Sequence, residues 1–191
     1  MKCGIVIVDT GPLKTLAYGE SLDLLFVPNI PVYISDMVIR ELENGIQYPG
    51  NKIALAFIEQ HLGSGIDIAI TGVPEISDKL SSLGVDPGDE SIRRLINHYE
   101  DEVDGKYALL VSEDDKFMRT ADPRGHTYMM TTRPFLQQLE RRKVIDDAEA
   151  IMIKAEENAV IAGETVGRGQ LNRKHQKLLD GVKQAVEAAS C

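Results

Sequence analysis

The run Cys3-Gly-Ile-Val-Ile-Val-Asp9-Thr10 constrains the fold more than any other stretch of the chain. It is continuously apolar and mostly β-branched, without the alternation of a half-solvated strand. Such a run reads as a strand buried on both faces of a parallel sheet, which requires helical crossovers on each side. In open parallel sheets ligands bind beyond the carboxyl ends of the strands, and Asp9 and Thr10 stand at that edge. A second run, Tyr107-Ala-Leu-Leu-Val111, has the same grammar and ends in Ser112-Glu113-Asp114-Asp115.

Composition sets the scale. At 191 residues and 43% hydrophobic, the chain suits one α/β domain with some chain left over. No apolar run approaches the ~18–20 residues of a membrane span, so no membrane partner is expected. The N-terminal apolar stretch is too short for a secretory signal and runs straight into Asp9. Cys3 and Cys191 lack metal or redox spacing, which suits reduced thiols and a cytoplasmic location. The net charge of −9 argues against broad attraction to nucleic acid. From Gly163 onward, however, five bases outweigh three acids, giving +2 against about −11 for the remainder.

Between the two buried runs the pattern alternates short strands with helices. Gly11-Pro12 predicts a tight turn before a helix over Leu13–Tyr18, and Ser21–Phe26 a second helical piece. Pro31–Ile34 predicts a strand, and Ser35 caps a helix from Asp36 to Gly45. At 100° per residue, Val38 and Leu42 centre its apolar face, with Met37 and Ile46 flanking. Glu41 then falls on the inner side and Glu43 outside. Helices over Asn51–His61 and Glu75–Leu83 flank a strand at Ile66–Ile70, placed near a sheet edge. Gly84-Val-Asp-Pro-Gly-Asp89-Glu90 feeds a helix to about Glu100. There Asp89 lies near the apolar face of Ile92, Leu95 and Ile96, and Glu90 points away. Later elements are a helix at Lys116–Ala121, a strand at Gly125–Met130, a Thr132-capped helix over Pro134–Arg142, a helix over Asp146–Ala162 and an amphipathic helix over Leu171–Ala189.

Two strand ends and two helix starts thus each carry an acid: Asp9, Glu41, Asp89, and Asp114 or Asp115. An acid at a helix start can simply cap backbone N–H groups, and that reading stands beside the chemical one for Asp89, Asp114 and Asp115. Gathered together, the acids would repel by about 1 kcal/mol per pair in water and more where screening is weak. A hard divalent ion, Mg²⁺ or Mn²⁺, is the natural neutraliser of such oxygen donors.

The order Ile-Val-Asp9-Thr10, Val38-Ile-Arg-Glu41-Leu42, Pro87-Gly88-Asp89-Glu90, Leu109-Leu-Val-Ser112-Glu-Asp114-Asp115 resembles the PIN-domain family. The resemblance covers roughly residues 4–145. It implies a three-layer α/β/α domain around a parallel sheet over residues 1–145; the chain departs from the family by continuing some 45 residues past the usual end, as a helical C-terminal extension over 146–191. The resemblance further implies an Mg²⁺- or Mn²⁺-dependent endoribonuclease, with RNA as substrate and, in the toxin branch of the family, an antitoxin protein as partner. The family's acids carry over to Asp9, Glu41, Asp89 and Asp114, with Glu90 and Asp115 as neighbours that could substitute. Thr10 and Ser112 would hold the carboxylates, and Arg93 or Arg94 would contact substrate phosphate. The chain departs from the family pattern at Ile92-Arg93-Arg94-Leu95, where small residues are usual. The main alternative is a catalytically silent module of the same fold that binds RNA or protein. Monomer and homodimer both stay open. Gly11 excludes a haloacid-dehalogenase-type site, which needs a second acid there, and Gly11-Pro12 is not a dinucleotide-binding glycine turn.

Overall fold

The computed structural model describes residues 3–102, 107–119 and 127–166; for Cys3, residues 100–102 and Asp115 it describes the backbone alone. Five strands form one all-parallel sheet: β1 (Cys3–Val8), β2 (Val32–Ser35), β3 (Ile66–Ala69), β4 (Tyr107–Val111) and β5 (Thr127–Met130). Their spatial order is β3-β2-β1-β4-β5. The expected α/β architecture is therefore the observed one, three layers with helices on both faces of the sheet. β1 is central, and Ile5, Val6, Ile7 and Val8 are all buried, because a strand covered on both faces has no solvent side. β3 and β5 are the edges and are only partly buried.

The helices are α1 (Thr10–Tyr18), α2 (Asp36–Asn44), α3 (Pro49–His61), α4 (Ser77–Ser82), α5 (Pro87–Glu102), α6 (Asp115–Met118), α7 (Thr132–Arg141) and α8 (Ala148–Ile161). Several begin or end where the pattern did not place them. α1 starts at Thr10 and not Leu13, because Asp9 caps it through the Thr10 N–H. α2 stops at Asn44 with Gly45 as its C-cap, so Ile46 lies outside the apolar face and is exposed. α3 starts two residues early, with Pro49 in its first turn. The expected helix over Glu75–Leu83 divides into a 3₁₀ turn, Pro74–Ile76, and α4. The cap of α7 is Thr131; the Thr132 hydroxyl donates instead to Glu113. The expected helix over Leu171–Ala189 lies outside the described residues, as do the ends of the expected helix to Ala121 and strand from Gly125.

One core unites the sheet with both helical layers. α5 packs on β2 and β4, with Ile92, Leu95 and Ile96 buried. On the other side α1 packs against α3, α7 and α8, and Ala148 and Met152 of α8 join the same core as β1. The Glu164 carboxylate accepts from both Lys14 Nζ and Tyr18 Oη, pinning the turn after α8 to α1. Among the described residues no helix is long and apolar enough to cross a membrane.

Candidate functional site

The sheet order places a reversal between β1 and β4: connections run one way from β1 to β2 and β3, and the other way from β4 to β5. At such a switch point the loops leaving neighbouring strands part and open a crevice. Asp9 leaves β1 there, its N–H still paired to Val111 O at 3.1 Å, and Ser112 leaves β4 beside it.

Asp9 is held on two sides. Its Oδ1 accepts the Thr10 N–H at 2.7 Å, and its Oδ2 accepts the Ser112 hydroxyl at 2.7 Å. Glu41 reaches in from α2 as its helical position requires, and the Thr10 hydroxyl donates to its Oε2 at 2.5 Å. Glu43 is exposed. The remaining Glu41 oxygen lies against Gly88 at the start of α5, so closely that a Cβ there would collide with it. Glu41 therefore spans from the β1 end to the α5 start.

The helix-capping explanation for Asp89 falls to another residue. Asp86 Oδ1 accepts the N–H groups of Gly88 (2.8 Å) and Asp89 (3.3 Å), leaving the Asp89 carboxylate without that duty. Asp86 sits directly before the Pro87-Gly88 start, the N-cap position, which the acids on the helix itself do not occupy. Asp114 does cap: its Oδ1 accepts the Phe117 N–H at 2.8 Å at the head of α6, and its own N–H donates to Ser112 Oγ at 3.2 Å. The Asp115 side chain lies outside the described residues.

These carboxylates share a field. Burial is the main force raising the Asp9 carboxyl; Ser112 and Thr10 oppose it, and Asp114 and Asp86 add repulsion. Burial likewise pushes Glu41 up to about 7 against the Thr10 hydrogen bond, with Asp9, Asp86 and Asp89 contributing. Asp89 rises to about 6, through burial and then Asp86 and Asp114, while Arg93 pulls it down. Glu113, a further acid missed from sequence, is also raised, by burial and by Asp9; both the N–H and the hydroxyl of Thr132 bind it. It packs on Gly11, whose absent Cβ would lie 2.9 Å from Glu113 Cγ.

The arginines are divided. Arg93 lies with its guanidinium carbon 5.3 Å from the Phe117 ring centre, and its Nη1 is 3.9 Å from Glu90 Oε2. Arg94 is tied to Glu90 Oε1 and to the Thr71 carbonyl, both at 3.1 Å, so it braces α5 against the β3 loop. Glu90 serves these arginines and does not join the acids.

As donors, all-oxygen carboxylates raised first by burial and then by their acidic neighbours fit a hard divalent ion. Among the described residues, however, no three His, Cys, Asp or Glu side chains stand close enough together to ligate one ion, so binding would have to draw these carboxylates inward. Compared with family models, curated proteins and solved structures, the chain matches none.

Proposed function

We propose that this chain is a PIN-like, Mg²⁺- or Mn²⁺-dependent ribonuclease whose reaction centre is the acid edge at the β1–β4 switch point. The observation that carries this reading is the coupling of Asp9, Glu41 and Asp89. They arrive from β1, α2 and α5, and each is raised in part by its neighbours. Arg93 offsets part of the electrostatic cost at Asp89, and a bound divalent cation would offset the cost across the whole group once the carboxylates ionise. Asp9, Glu41, Asp89 and Asp114 would hold the ion, which when bound lowers the pKa of a water and offsets phosphate charge. Ser112 and Thr10 keep Asp9 and Glu41 aimed and favour their ionised forms by donating to them. Arg93, beside Asp89, is the cation placed to meet a substrate phosphate. The role of toxin, with an antitoxin as partner, rests on the family resemblance.

One observation favours a second reading, the silent binding module: the carboxylates do not converge as ligands. Two measurements on the full chain separate the readings. Calorimetry with Mn²⁺ is expected to show binding that Asp9→Asn removes. Cleavage of a structured RNA is expected with Mg²⁺ or Mn²⁺, to stop on chelation, and to fall at least about a hundredfold in Asp9→Asn, the loss typical of removing one directly acting group. Asp9→Asn cleaving at the wild-type rate would sink the nuclease; binding of Mn²⁺ without any cleavage would favour the module.

A further inference from the structure

We propose that residues 171–189 dock as an amphipathic helix into the groove between α1, α3 and α8 of their own chain. The groove, of about 450 Å³, is lined mainly by Ala17, Tyr18, Pro49, Ile53, Ile161 and Ala162. Ile53 and Ile161 are 45% and 65% exposed, high values for two isoleucines that line one groove. The polar groups on its rim are already engaged. Asn158 Nδ2 donates to the Tyr18 carbonyl at 2.8 Å, and Glu20 pairs with Lys154 at 2.6 Å. The groove therefore suits an apolar occupant.

The path of the chain selects which one. The described residues end at Val166, buried against Tyr18, Ala155 and Ala159, and Tyr18 is also a wall of the groove. Only residues 167–170 separate that anchor from Leu171, and extended they reach about 13 Å. On a helix, Leu171, Leu178, Leu179, Val182 and Val186 fall within an arc of about 100°, and Arg173, Lys174, Lys177 and Lys183 lie outside it. Residues 167–191 carry five bases and two acids, a +3 segment returning to a body left at −12. A short tether gives the segment an effective concentration on the order of millimolar at the groove, which favours its own chain over a second copy. The inference does not depend on the nuclease reading.

The test is limited trypsin digestion of the native full chain, following cleavage at Arg173 and Lys174 by intact mass. Ile161→Asp alters an exposed position, and Leu179, changed in Leu179→Asp, is not among the residues that build the described core, so neither change should unfold the body. Each is expected to speed cleavage about tenfold, as loss of docking exposes the segment, and the double variant no further. Equal rates in wild type and both variants would overturn the proposal. So would protection that is lost on dilution, which would make the occupant a second copy of the chain.

Discussion

Glu41 shows how much one side chain can hold together. Its carboxylate takes the Thr10 hydroxyl on one oxygen and lies against the Gly88 backbone with the other. Glycine at 88 is needed here for close approach, not for an unusual backbone angle. Gly88→Ala is expected to push the Glu41 carboxylate off its Thr10 contact, weakening Mn²⁺ affinity by about tenfold or more, on the order of 1.4 kcal/mol. The melting temperature should change by only a few degrees, and calorimetry beside a thermal melt checks both. Unchanged affinity would mean that Glu41 does not contribute to ion binding. At this scale the sequence was readable where periodicity decides orientation, as for Glu41 and Glu43. It was not readable for Glu113, whose partner Thr132 comes alongside only once β4 and β5 have paired. Asp86 was legible in principle, as an acid directly before Pro87, but its capping of α5 competed with the more conspicuous Asp89.

At the scale of the element, α5 does most to define the site. The buried Ser35 and Ser91 hydroxyls bond at 2.8 Å, locking α5 to the head of α2 and so fixing Asp89 relative to Glu41. The two arginines one turn along α5 are expected to behave differently. Arg93→Ala should weaken RNA binding several-fold, because it removes a positive charge that acts on Asp89. Arg94→Ala should leave RNA binding alone and lower the melting temperature, because it removes bonds to Glu90 and Thr71. Filter binding and a thermal melt on both variants check the split, and equal losses of binding would contradict it. Helical period places Arg93 toward the inner edge, but the grip on Arg94 comes from the loop after β3, a contact no local pattern encodes. The misplaced start of α1 has the same origin. Pro12 and Pro49 suit the first turn of a helix, but the start of α1 is fixed by Asp9 at the sheet edge, whereas α3 begins after Tyr48 with no side-chain cap.

Across the whole molecule, the acid edge ties stability to pH. Asp9, Glu41 and Asp89 have folded-state pKa values above their ordinary ones, so the folded chain keeps protons that the unfolded chain releases. For Glu41 and Asp89 the resulting stabilisation is complete below about pH 4 and is lost as pH rises through about 6 to 7, and Asp9 adds to it in the same direction. Without divalent ions, the melting temperature is therefore expected to fall between pH 5 and 8. The loss should be on the order of 2 kcal/mol, or roughly 4–8 °C for a chain of this size. Mn²⁺ should restore most of it at the alkaline end, and Glu41→Gln should flatten the curve. A melting temperature that climbs over the same range would show that these groups are not coupled as described. The parallel sheet and its two helical layers were legible because fully buried strands leave an unbroken apolar signature. The strand order was not, since no local feature of β1 says that β4 will be its neighbour. That order also has a consequence in time. The central strand is the first to be synthesised, yet the partner for one of its edges arrives about a hundred residues later, roughly 5–20 s at ordinary rates of translation. Throughout that interval Ile5 to Val8 offer an apolar, unpaired edge to any other nascent chain. For this topology the hazard of aggregation is greatest during synthesis and ends when β4 closes the sheet.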